Sequence, residues 1–209
     1  METEGWEIVY QKEGDLYKDV GPEIKKYSKV LKKEKYKKIL DLGCGTGRNA
    51  IYLAKQGFLV YALDISKTGV AIAKKKANLL NLKNIKFNVA NMKQTPYPDN
   101  YFDAVVCMFT LSHGLLKDNQ DAVNEIYRIL RPKGMLMTQL MSVKDKTCGK
   151  GKKIEKNTFL GGMEDDKHMM HHYFTKEEIG ILLSEFTKFK LSLKTYFGEI
   201  KAFDIEAVK

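Results

Sequence analysis

The chain has 209 residues, 44% apolar and 30% charged, the make-up of one globular domain with room for a sizeable core. No run of about 18 apolar residues offers a membrane span, and the start, Met1-Glu2-Thr3-Glu4-Gly5-Trp6, is acidic rather than leader-like. The formal net charge of +10 keeps a nucleic-acid partner open without favouring it: Arg48, Arg128 and Arg131 are the only arginines, and arginine's planar fork reads bases and phosphates better than lysine does. Cys44, Cys107 and Cys148 are far apart and include no C-x-x-C pair, so a reducing cytoplasm is the expected setting.

In chain order, residues 21–34 predict a helix, with Pro22 in its first turn and Ile24, Tyr27, Val30 and Leu31 as its apolar stripe. Lys38 to Leu42 predicts a short strand running into glycines. A helix over 49–54 follows, stopped by Gly57, then a strand over 58–63 ending at Asp64. Ser66 suits the N-cap of a helix reaching about Leu80. Residues 85–89 alternate like a strand, residues 101–108 predict a fourth, and 118–130 a helix. Arg131-Pro132-Lys133-Gly134 reads as a turn before a fifth strand over 135–141. The stretch 142–170 is irregular and long for a connection, which suggests function. Thr175 and Glu178 form a capping box opening a helix over 176–186, and strands over 188–197 and 200–208 make a hairpin about Gly198-Glu199. Strands alternating with helices imply a mostly parallel sheet covered on both faces.

The chemistry concentrates in Asp41-Leu42-Gly43-Cys44-Gly45-Thr46-Gly47. Strand, glycine turn and helix make a nucleotide-type site, where glycines admit a close backbone approach and the helix start offers free N–H groups. A dinucleotide loop has a glycine where this chain has Arg48, so that spacing fails. Asp41 would repel a pyrophosphate but suits a cationic ligand, and Asp64 at the end of the second strand can accept from both ribose hydroxyls.

These residues, Ile39 to Ala54 with Gly57 and Ala62 to Ser66, resemble the class I S-adenosylmethionine (SAM)-dependent methyltransferases, and within them the small-molecule and tellurite-resistance (TehB-like) branch. The resemblance implies an α/β fold, a Rossmann-like three-layer sandwich whose seven-stranded sheet has order 3-2-1-4-5-7-6 with strand 7 antiparallel. It also implies SAM as cofactor, with S-adenosyl-L-homocysteine as product. Gly43, Gly45 and Gly47, with Cys44 and Arg48 in the same loop, would line the methionine end, and Asp41 would reach its amino group. Asp64 would hold the ribose, Ile65 would pack on the adenine, Asn91 and Met92 would meet the adenine edge, and Cys107 would lie near the methionine end. The expected layout is a single domain: an N-terminal helical lid over 1–35, a cofactor-binding core over 36–142, a substrate-side insertion over 143–173, and a last helix and hairpin over 174–209.

The acceptor belongs beyond the carboxyl ends of the strands. Trp6, Tyr10 and Tyr17, at spacings of four and seven, can share a helical face in the lid. His113, after the fourth strand, is a candidate general base, as is His171. His171, His172 and Tyr173 are candidate acceptor contacts. His168, His171 and His172 with Asp165 and Asp166 could bind a transition metal, but no metal site is assigned. The expected reaction is in-line SN2 methyl transfer to an O, N or S nucleophile of a small molecule. RNA or protein methylation, and SAM binding without catalysis, are the alternatives. The expected protein is a monomer or homodimer without membrane association.

Overall fold

The computed structural model of the chain describes residues 2–16, 18–162 and 168–209. Its first part runs α1 (Glu2–Glu13), α2 (Pro22–Lys33), β1 (Lys38–Leu42), α3 (Arg48–Lys55), β2 (Leu59–Asp64), α4 (Lys67–Leu79), β3 (Ile85–Val89), β4 (Phe102–Met108), α5 (Leu116–Ile129) and β5 (Leu130–Met141). Then come β6 (Lys152–Glu155), β7 (Thr158–Leu160), β8 (Met170–His172), α6 (Lys176–Leu182), β9 (Lys188–Tyr196) and β10 (Ile200–Val208). The main sheet has the order β3-β2-β1-β4-β5-β10-β9. β10 runs antiparallel to both its neighbours, and the pairs among β1 to β5 are parallel. This is the expected order of the seven strands, with the seventh antiparallel.

The inner strands are apolar on both faces because both are covered. Their period of two sends Leu40, Leu42, Tyr61, Leu63, Val105 and Cys107 to one side, packed against Ala122 and Ile126 of α5 and Ile179 and Leu182 of α6. Ile39, Val60, Ala62, Ala104 and Val106 face the other way, against Ile24, Tyr27 and Leu31 of α2 and Ala50 and Leu53 of α3. Each such fully buried aliphatic side chain stabilises the fold by about 1.5–3 kcal/mol. Asp41 shares the second face with Ile39, so the period that builds the core also buries a carboxylate in it.

Two expectations need correction. The 131–134 turn is an irregularity within β5: pairing with β4 already starts at Phe102↔Leu130, shifts register before Ala104, and Lys133 takes φ 64°. The 142–170 stretch is not simply irregular, since β6, β7 and β8 form their own antiparallel sheet. The capping box of α6 is present, with Thr175 N donating to Glu178 Oε2 (2.9 Å) and Glu178 N to Thr175 Oγ1 (3.2 Å). Tyr17, Asp165 and Asp166 lie outside the described residues.

Candidate functional site

The glycine loop leaves β1 at the carboxyl edge of the sheet. Gly43 and Gly45 both take left-handed φ (74° and 52°), and neither has room for a side chain. A Cβ on Gly43 would overlap Thr110, and one on Gly45 would overlap the Tyr10 hydroxyl. Gly47 begins α3 with its Cα side against Ala73, where a Cβ would come within 2.7 Å of the Ala73 Cβ.

Asp41 is 1% exposed, and its Oδ2 has no hydrogen-bond partner. Burial pushes its carboxyl up to about 7, against the opposing pull of the Ala50 N–H and Arg48. Asp64 is engaged by the chain's own backbone: Gly45 N donates to Oδ2 and Ser66 N to Oδ1, both at 2.8 Å. Burial still raises its pKa above the ordinary value. Its remaining lone pairs are the capacity available to ribose hydroxyls.

Cys44 and Cys107 are buried thiols pushed up by desolvation, Cys107 to about 12, and therefore inert. The Cys107 carbonyl accepts from Thr138 Oγ1 at 2.6 Å, and its side chain packs in the core. Arg48 donates to the Asp19 carbonyl (3.2 Å) and acts on Asp41 through its charge. Ile65 is half-buried, Met92 packs on the core, and Asn91 caps its own turn through Lys93 N (2.9 Å) beside a polar groove lined by Lys93, Gln94 and Arg128.

α1 lies across the loop. Trp6 stacks on Tyr10 (centroids 5.4 Å apart), its edge meets His113 (5.3 Å), and His113 meets His171 (4.8 Å). Four sequence-predicted residues thus form one aromatic column from the glycine loop to the insertion. A backbone bridge joins His113 to His171, and the His113 ring bonds the Met170 backbone, leaving its Nδ1 buried without a partner. Burial holds His113 down at about 3 and His171 at about 4, so both are neutral bases at pH 7.

The structure does not bring His172 and Tyr173 to this column. The alternation of β8 sends His172 to the face opposite His171, where its Nδ1 is 2.7 Å from Thr158 Oγ1 and its Nε2 3.8 Å from Glu178 Oε2. Tyr173 is buried and donates to Thr147 Oγ1 (2.8 Å). Both brace the insertion. Among the described residues, no three His, Cys, Asp or Glu side chains could hold a metal ion together.

Sequence reasoning missed the anchors of α1. Glu7 accepts from Ser66 Oγ (2.6 Å), Thr68 Oγ1 (2.6 Å) and Thr68 N (3.1 Å), capping α4 from outside, and these bonds hold it at about 2. Asp15 accepts from Thr46 Oγ1 (2.6 Å) and pairs with Lys76 (3.0 Å). An acid four residues before Gln11, on a helix otherwise read for its aromatics, carries no local signal of such a role.

A parallel sheet of this order, with a glycine loop after β1 and acids on β1 and at the end of β2, is the class I SAM-dependent methyltransferase fold. Residues 40–138 match the methyltransferase-domain family. The ubiquinone/menaquinone biosynthesis C-methyltransferase of Rickettsia akari is 38% identical over 105 residues, 46% of this chain and 41% of that protein. The chain spans about half the length of the curated relatives it matches. A SAM-dependent methyltransferase from Methanosarcina mazei superposes with TM-score 0.72 at 23% identity, covering 91% of this chain and 98% of that one. Magnesium protoporphyrin IX methyltransferase from Synechocystis with bound SAM gives TM-score 0.71 at 16% identity, over 100% and 97%. Among the described residues, no helix is long and apolar enough to cross a membrane.

Proposed function

We propose that the protein transfers the methyl group of SAM to an O, N or S nucleophile of a small molecule. The observation that carries this reading is Asp41 Oδ2, a buried oxygen without a hydrogen-bond partner beside the glycine loop. A buried carboxylate with one oxygen unpaired is costly, and a ligand cation would relieve that cost. Asp64 would add the ribose contact, and Ile65, Asn91 and Met92 the adenine surroundings.

When bound, SAM supplies a methyl group on a positively charged sulfur, reactive enough for an aligned nucleophile without further activation. The chain's residues then have three tasks. Asp41 holds the ligand's cationic end. The Tyr10–Trp6–His113–His171 column excludes water from the carboxyl edge of β4. His113 Nδ1, neutral and without a partner, accepts a hydrogen bond from an O–H or N–H nucleophile and orients it toward the methyl group. Tyr10 rests on Gly45, so α1 is read as a lid that shifts to admit ligand.

The relatives named above are, by their names, a C-methyltransferase of ubiquinone and menaquinone biosynthesis and a magnesium protoporphyrin IX methyltransferase, which supports a small acceptor here. The similarity extends to several kinds of small-molecule methyltransferase rather than to the tellurite-resistance branch in particular, and a metalloid acceptor is not part of the proposal. The free thiols suit a cytoplasmic enzyme.

Calorimetry with SAM tests this. Wild type should bind, and Asp64→Ala and Asp41→Asn should each lose at least about tenfold in affinity, the scale of one charge-assisted hydrogen bond. No binding by the wild type would overturn the proposal, and S-adenosylhomocysteine release with transfer RNA alone would replace its acceptor class.

A further inference from the structure

Among the described residues, seven other than glycine take a left-handed φ: Lys35, Asn81, Asn100, Phe109, Lys133, Asn157 and Phe197. Five are lysines or asparagines at helix ends, turns or the β5 irregularity, where asparagine in particular tolerates this conformation. The other two are phenylalanines, for which it is an outlier. Phe109 has φ 59° and Phe197 φ 52°; 88 positions apart in the chain, their rings meet at 6.1 Å between centroids with a 42° tilt. Strain held at two bulky residues that touch each other is the pattern of a functional surface rather than of packing.

Local chemistry sharpens the point at Phe197. Glu199 N donates to Tyr196 O (3.0 Å), so Phe197 and Gly198 are the central residues of the hairpin turn, both with positive φ (52° and 76°). Such a turn favours Asn-Gly. This chain keeps a phenylalanine there, 65% exposed, where burial offers no compensation. Phe109 directly follows β4 and precedes Thr110, the residue packed against Gly43, so the pair stands at the methyl-transfer edge of the sheet. Behind it, the Tyr196 ring meets Phe109 edge-on at 5.3 Å. Tyr196 is 6% exposed, held beside Gln139 and Asp204, and burial pushes its hydroxyl up.

Resting on the methyltransferase reading above, we propose that Phe109 and Phe197, backed by Tyr196, are the acceptor-binding platform, and that the acceptor is a flat aromatic ring bearing the nucleophile. Two phenyl faces tilted toward each other recognise a planar π-system better than a puckered ring of equal size. Phe109 is joined to Thr110, which packs on Gly43, so a ring seated on the platform lies beside the glycine loop.

The test uses the full chain loaded with S-adenosylhomocysteine, with 2-naphthol and its saturated counterpart decahydro-2-naphthol as probes. Wild type should bind 2-naphthol at least about tenfold more tightly than the saturated alcohol, and Phe197→Asn and Phe109→Leu should each weaken 2-naphthol about tenfold while leaving S-adenosylhomocysteine affinity unchanged. Phe197→Asn should also melt at or above the wild-type temperature, because Asn-Gly suits the turn; a structural role would lower it. Equal binding of the two alcohols, unchanged 2-naphthol binding in Phe197→Asn, or loss of self-association as that variant's sole effect would overturn the platform. Failure to bind S-adenosylhomocysteine would overturn the methyltransferase reading, and the platform with it. Normal binding of S-adenosylhomocysteine without 2-naphthol would overturn the platform alone.

Discussion

The Tyr10 hydroxyl fills the space that a side chain on Gly45 would need, so the glycine loop and the helix covering it are fitted to each other. Gly45→Ala should therefore act twice. It places a Cβ in a left-handed conformation, at a cost of about 1–2 kcal/mol, and it pushes α1 away. Hydrogen exchange over residues 2–13 should accelerate, and adding Tyr10→Phe should restore part of the protection. Equal protection in wild type and Gly45→Ala would contradict the fit.

Glu7 should hold α1 only while it is ionised. Its pKa is lowered from 4.5 to about 2 by the Ser66 and Thr68 bonds, so its contribution is full above pH 4.5 and is lost as pH falls from there through about 2. Glu7→Gln should speed exchange in α1 and in the first turn of α4 at pH 7, and the difference from wild type should close toward pH 2. A difference that persists unchanged at low pH would assign the anchor elsewhere.

Asp41 has the opposite sign. Its folded pKa of about 7 exceeds its ordinary value of 3.8, so the folded state holds its proton longer and stability falls as pH rises between those values. Asp41→Asn should be near neutral at pH 4 and stabilise the ligand-free protein at pH 8 by up to about 4 kcal/mol, the upper bound set by roughly 1.4 kcal/mol per pKa unit. Urea unfolding at the two pH values reads this directly. The same variant should bind SAM more weakly, which makes the residue a trade of stability for ligand affinity.

The two column histidines work against Asp41 in the acid range. Their pKa values fall from 6.5 to about 3 for His113 and about 4 for His171, so the unfolded chain takes up protons first and stability drops as pH falls from 6.5 through 4. In Asp41→Asn this acid loss should stand unmasked. Turnover should show no histidine limb between pH 5 and 8. Histidine resonances titrating near 6.5 in the folded protein would show that the column is wet.

The alternation of strands and helices, the glycine loop and the positions of Asp41 and Asp64 were legible because they are contiguous and depend on backbone geometry and strand period, while the strand order came only with the family resemblance. Trp6, Tyr10, His113 and His171 were legible as types without their arrangement. His171 and His172 could not be told apart in the sequence, because two adjacent histidines look alike until a strand assigns them opposite faces. Phe197 left a readable trace, since Phe-Gly stands where a tight hairpin favours Asn-Gly, but the turn was centred one residue late, on Gly198-Glu199.

The sequence by itself determined the parallel sheet, its hairpin edge and the loop that suits a cationic nucleotide ligand, since apolar period, glycine spacing and capping residues act over a few positions. Only the tertiary structure decided that Tyr10 covers Gly45, that Glu7 caps α4, that Asp41 is left without a partner on one oxygen, and that Phe109 meets Phe197. Those relations join residues that are between 35 and 88 positions apart, or depend on what a buried atom fails to meet, and neither is set until the sheet brings its carboxyl ends together.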